Sequence, residues 1–295
     1  MSIPLRSVSL PNSCRSYRVE DLMADASFAA ALRDSALELL AIHRRAPRIV
    51  RYVADLQKWL LSQAALALHF ERKLDPSRPP LTASNLAKFL VENRIASQNT
   101  AVSHLKEMAH YKLLEPVETT DRRTNPLQAS GYAETLIRQW FEGHLRSLDG
   151  MDAGDRYRRS QADETILYRA QPRIARRLFN DPDWYNPPES IALFARSESG
   201  SNILHDLISR VPLAPVLGER AWIGDVSARL TAAEYVISRS HAGRLLAAAQ
   251  NQGLLGWETP QKSGDCWISA KLVLDYRRWQ ASKFSVISEA VAEIE

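Results

Sequence analysis

The chain has 295 residues, enough for one large domain or two of medium size with a substantial core. Hydrophobic residues make up 45% and charged residues 24%, ordinary values that exclude a low-complexity or disordered chain. The balance is mildly basic, 38 Lys and Arg against 34 Asp and Glu for a formal charge of +4, which admits a polyanionic partner without requiring one.

The two cysteines, Cys14 and Cys266, fall in an expected tail and an expected wing, so no disulfide framework is expected and a reducing cytoplasm fits. No run approaches about 18 unbroken apolar residues, and the opening MSIPLRSVSLPNSCRSYR lacks the apolar stretch of a secretory signal. A soluble cytoplasmic protein with no membrane partner is expected, with residues 1–26 as a mobile basic tail.

From 27 to 45 apolar residues recur at helical spacing, with Leu32, Ala36, Leu39 and Leu40 on one stripe. Pro47 ends that helix and opens a second, 48–72, carrying Ile49, Val53, Leu56, Leu60 and Leu61. Pro76, Pro79 and Pro80 break the pattern. Thr82 then caps a helix whose buried face is Leu86, Phe89 and Leu90, and Ser97 caps the next, SQNTAVSHLKEMAHYKLL. LLEPVETT, the polar turn DRRTN and PLQA predict a hairpin of two short strands, after which Ser130-Gly131 opens a helix through Leu148.

Residues 148–155 form the expected boundary. A helix is predicted over 156–179, with Pro172 as a kink or break, followed by the rigid connector DPDWYNPPES. Another covers 190–210, interrupted near Gly200, and VPLAPVLGER is a loop. A scaffold helix over 222–235 then leads to Ser238, which caps SRSHAGRLLAAAQNQGLL. Segments 254–258 and 266–269 make a second hairpin around PQKSGD, and helix 270–282 closes the chain, with 286–295 as its extension.

The two capping serines are 238 − 97 = 141 residues apart, and at that offset Leu105 matches Leu246, Leu113 matches Leu254 and Leu114 matches Leu255. One domain plan has been used twice. The expected fold is mostly α with small β-hairpin wings: tandem winged helix-turn-helix domains at 27–148 and 190–295. A helical linker at 149–189 and the long helices 27–72, 130–148 and 156–179 join the two.

Counting from each serine, the core side at plus four, eight, eleven and sixteen is Ala101, Leu105, Met108 and Leu113, then Ala242, Leu246, Ala249 and Leu254. The outward side supplies the candidate DNA contacts. They are Ser97, Gln98, Asn99, Thr100, Ser103 and Lys106 in the first copy, and Ser238, Arg239, Ser240, His241 and Arg244 in the second. Asn and Gln pair with adenine and Arg with guanine, while a capped helix start also receives phosphate. The wing tips add Arg122 and Arg123, with Asp121 to hold one of them, and Lys262. Two such tips would read major-groove segments ideally about 34 Å apart.

The run SQNTAVSHLKEMAHYKLL followed by DRRTNPLQASGY resembles the MarR-type winged-helix transcription regulators over 82–148. Those regulators show an Asp-x-Arg wing and a Thr-x-x-Gly helix start. The second copy resembles bacterial winged helices in general over 222–282. Lys112 departs from the glycine usual at its turn, and family members are single-domain dimers, whereas this chain holds both halves. The resemblance implies a bacterial sequence-specific regulator of double-stranded DNA, acting as a pseudo-dimeric monomer or a homodimer. It also suggests a small-molecule effector, for which Trp140, Tyr157, Tyr168, Trp184 and Tyr185 could line a pocket between the halves.

No P-loop, dinucleotide fingerprint, HExxH or CxxC occurs, His104 and His110 are on different faces of one helix, and Glu198-Ser199-Gly200-Ser201 is no nucleophile elbow. Neither catalysis nor a metal or cofactor is expected. Two rival readings share the fold: a plasmid replication initiator with tandem winged helices, and a winged-helix scaffold that binds protein.

Overall fold

A computed structural model describes residues 15–92, 97–119, 124–213, 219–259 and 264–294. The first half comprises α1 (Val19–Ala24), α2 (Phe28–Arg45), α3 (Pro47–Val53), α4 (Leu56–Leu74), α5 (Ala83–Glu92), α6 (Gln98–His110), β1 (Leu114–Pro116), β2 (Leu127–Ala129) and α7 (Gly131–Asp152). The second comprises α8 (Arg156–Ala162), α9 (Thr165–Phe179), α10 (Pro182–Tyr185), α11 (Glu189–Ala195), α12 (Gly200–Ser209), β3 (Arg220–Gly224), α13 (Ala228–Tyr235), α14 (Arg239–Asn251), β4 (Leu255–Trp257), β5 (Cys266–Ser269) and α15 (Ala270–Ala292). The protein is mostly helical with small antiparallel sheets.

Both halves run helix, extended segment, two short helices, hairpin, long helix. In the second half β5 lies between β3 and β4, so the extended segment completes a three-stranded sheet. In the first the same place is held by Leu81 alone, bridged to Leu127 of β2, which also faces Pro116 of β1. Each long closing helix starts at a serine whose hydroxyl accepts a backbone N–H: Ser130 from Ala133 at 3.2 Å and Ser269 from Leu272 at 3.1 Å. These serines are 269 − 130 = 139 apart, so the second hairpin is two residues shorter than the first.

The two halves exchange helices. α2 packs on α7 of its own half and on α12 of the other, while α9 packs on α15 of its own half and on α4 of the other. Arg33 of α2 donates to the carbonyls of Ser209, at 3.1 Å, and Val211, which the end of α12 leaves free. Gln171 of α9 donates in the buried interface to the backbone and side-chain oxygens of Gln63 on α4, at 3.0 and 3.1 Å. Phe70 stacks on Tyr168, and Arg176 pairs with Glu71 at 2.6 Å. Own-half contacts include Arg146–Glu38 at 3.0 Å and Arg177–Glu289 at 3.8 Å. The core is accordingly continuous through both halves.

Several expectations are corrected. The helix predicted over 48–72 is two, because Asp55 turns out of line to accept the N–H of Lys58 at 3.0 Å and starts α4. Trp222 and its neighbours, predicted helical, form β3, where pairing with β5 overrides local propensity. Residues 15–26, expected to belong to a mobile tail, are packed on the fold: Tyr17 and Leu22 are buried, the Tyr17 N–H reaching Ser288 and its hydroxyl Asp152, both at 2.9 Å. Residues 1–14 lie outside the described residues.

Residues 149–189 are no linker either. Arg156 is buried between Asp149 and Asp152 at 3.0 and 2.7 Å, and α9 carries core residues such as Leu167, Ile174 and Leu178. The expected break at Pro172 falls instead at 163–164. There Asp163 accepts the N–H of Thr165 at 2.9 Å and restarts the helix, which then runs through Pro172.

Candidate nucleic-acid interface

The two serine-capped helices have the same local geometry. Ser97 is extended, and its hydroxyl accepts from the Thr100 N–H at 3.3 Å; Ser238 is likewise extended and accepts from the His241 N–H at 3.1 Å. Each helix is 13 residues long. Each ends with a left-handed residue, Lys112 at φ 57° and Gly253 at φ 67°. The N–H after it reaches back to close the turn, Leu113 to the Met108 carbonyl and Leu254 to the Ala249 carbonyl, both at 2.9 Å. The hairpin is then tied to the helix base by Ser130 N–H on the Leu113 carbonyl at 3.0 Å and Ser269 N–H on the Leu254 carbonyl at 2.9 Å.

All eight core-side positions named from the sequence are buried: Ala101, Leu105, Met108, Leu113, Ala242, Leu246, Ala249 and Leu254. Of the outward set, Ser97, Gln98, Asn99, Ser103 and Lys106 are exposed, as are Ser238, Arg239, Ser240 and Arg244. Thr100 is half-buried and its hydroxyl bonds that of Ser97 at 2.9 Å. His241 departs further, for its ring is half-buried and Nε2 is enclosed with no hydrogen-bond partner, so the imidazole is turned away from the exposed row. Asp121, Arg122, Arg123 and Lys262 lie outside the described residues.

Some exposed or half-exposed arginines elsewhere are tied to carboxylates, as Arg44 is to Glu234, Arg51 to Glu198, Arg158 to Asp155 and Arg210 to Asp206, while Arg45, Arg48 and Arg278 are exposed and make no ion pair among the described residues. Lys106, Arg239 and Arg244 make no ion pair among the described residues, and neither does Arg229, exposed on the first turn of α13. Sequence reasoning missed Arg229 because that stretch read as scaffold.

Each half braces the turn helices of the other. At the end of α13, Arg51 donates to the carbonyl of Val236 at 2.7 Å and His43 Nε2 donates to that of Glu234 at 3.1 Å. Burial holds the His43 pKa down, leaving a neutral ring whose Nδ1 faces Asn202 at 3.4 Å. In the mirrored contact, Phe179 and Arg176 of α9 pack on Phe89 of α5, with centroid distances of 5.5 and 4.7 Å. His104, inside the first repeated helix, is a core residue. Its ring nitrogens face Tyr52 and Ser62 at 2.8 and 3.2 Å, and burial pushes its pKa down to about 4.

Of the aromatic residues named for a pocket, Trp140 and Trp184 line a cavity between the halves. Tyr157 packs under Arg146, Tyr168 stacks on Phe70, and Tyr185 is exposed. Burial pushes the Cys266 thiol up to about 11, which removes it as a reactive thiolate. Among the described residues no group of His, Cys, Asp and Glu could hold a metal ion, and no helix is long and apolar enough to cross a membrane. Comparisons of the chain with protein-family models, with curated proteins and with solved structures find no match.

Proposed function

We propose that the chain is a sequence-specific regulator of transcription. It binds double-stranded DNA through two winged helix-turn-helix units in one polypeptide, with α6 and α14 entering successive major grooves. The observation that carries the reading is the paired geometry of those helices, each with a polar, serine-capped tip exposed and an apolar base buried beside a hairpin. Backbone N–H groups at each capped start suit phosphate, and Arg229, exposed on the preceding helix, would add a second backbone contact. Gln98 and Asn99 favour adenine; Arg239 and Arg244 favour guanine. The MarR-type resemblance of the first copy supports a regulator, and the exchanged helices let one chain stand in for a dimer. Such a protein works in the cytoplasm, on the nucleoid.

The test is selection of bound duplexes from a random pool, followed by titration of Arg239→Ala. A loss of about 1–3 kcal/mol confined to one base position is expected. Uniform weakening over all duplexes would make Arg239 a phosphate contact. Contact with about 6–10 phosphates should cost 10³–10⁵ in affinity between about 50 and 200 mM salt, and a flat response would favour a protein-binding scaffold instead.

A further inference from the structure

Lys283 of α15 is 3% exposed, with no carboxylate and no hydrogen-bond acceptor among the described residues; its ammonium meets only the Trp184 and Phe284 rings, 5.7 and 6.0 Å from their centroids. It lines a cavity of about 160 Å³ where the halves meet, a volume comparable to the roughly 150 Å³ that encloses one benzene ring. The walls are two tryptophans from each half: Trp59 and Trp140 facing Trp184 and Trp279, with neighbouring rings 4.6–5.9 Å apart. Two further donors on residues of this wall, Trp184 Nε1 and Gln280 Nε2, are enclosed with no protein acceptor.

A buried ammonium without a counter-charge is costly, and so is each unpaired donor. The nearby buried imidazoles give no relief, because His144 and His205 are themselves held neutral by burial and can offer no negative charge. Burial likewise pushes the Lys283 pKa down to about 7. What the wall lacks is an acceptor that brings one negative charge. A phosphate would bring more charge than one lysine offsets and would waste the indole surfaces; an apolar body of one ring with a single carboxylate matches both.

We infer that the inter-half cavity binds a small apolar monocarboxylate, its carboxylate on Lys283 and its ring among the four tryptophans. Met108 and Leu113, at the base of α6, line the same cavity, so an occupant touches the element that carries the first exposed tip. Action as an effector rests on the DNA-binding reading; occupancy of the cavity does not.

The experiment therefore contains no DNA. Benzoate is titrated into the full-length protein by calorimetry and by tryptophan fluorescence, beside benzamide as its neutral isostere and inorganic phosphate as an anion without an apolar body. Saturable benzoate binding in the millimolar range or tighter is expected, with both controls at least tenfold weaker. Lys283→Met should lose benzoate at least tenfold while melting no lower than the parent, since it removes an uncompensated charge at similar volume. Equal binding of benzamide or phosphate, retention of benzoate by Lys283→Met, or no benzoate binding at all would overturn the proposal. If benzoate binds while no DNA does, the site stands and the regulator does not.

Discussion

Two equivalent turns in this chain are closed by different residues, and the comparison isolates one backbone angle. Gly253 and Lys112 both sit at positive φ, where a side chain costs about 1 kcal/mol and glycine costs nothing. No atom lies within 4 Å of a Cβ built on Gly253, so its replacement tests the angle alone. Lys112→Gly is expected to stabilise the protein and Gly253→Ala to destabilise it, each by about 1 kcal/mol in urea unfolding. Equal and same-signed effects would reject strain as the cause.

Lys283 makes a second residue-scale case. With a folded pKa near 7 against 10.5 unfolded, the unfolded chain carries a proton that the folded one lacks throughout that interval. Stability from this group therefore rises with pH across the window, by up to about 1.4 kcal/mol per unit, and its penalty is complete below about pH 7. Lys283→Met should exceed the parent in stability most at about pH 6, and the gap should shrink by about pH 9. A gap that does not change with pH would mean that Lys283 keeps its proton.

At the scale of elements, what was legible in the sequence is what local chemistry decides. A serine cap, an apolar row at helical spacing and a turn residue are all within one helix, and α6, α14 and their hairpins follow from them. β3 was not legible because Trp222, half exposed in a five-residue strand, is extended only through its pairing with β5. The burial of Lys283 was hidden for the same reason: nothing in ASKFSVIS distinguishes a lysine facing water from one facing α7 and α12.

That a helix over 156–179 joins the halves was legible, but not which element α9 packs on. Its core residues look like those of any amphipathic helix, and only the fold shows that they pack on α4, about a hundred residues earlier in the chain, as with Gln171 on Gln63. The exchange has a thermodynamic consequence. Neither half can unfold without stripping α2 or α9 from the other, so urea should give one transition. Tryptophan fluorescence, to which four of the seven rings contribute from the junction of the halves, should coincide with far-ultraviolet circular dichroism. A fluorescence step that precedes loss of helix would show that the halves hold their structure separately.

For the molecule as a whole, the exchange decides how the two exposed tips relate. Two domains on a flexible tether would tolerate altered spacing between their sites, with a gradual loss as the linker stretches. Here the residues expected to be a linker are core, and the Val236 turn before α14 is held by Arg51 of the other half. The tips are consequently fixed in separation and in phase. Inserting about 5 base pairs between the two halves of a selected site turns one by half a helical turn, to the far side of the duplex. Affinity should then fall to that of a single half-site, as measured by gel shift at constant salt, because the protein cannot twist to follow. If the expanded site binds within a few-fold of the original, the halves move independently in solution, and the buried Gln171–Gln63 contact would have to open at little cost.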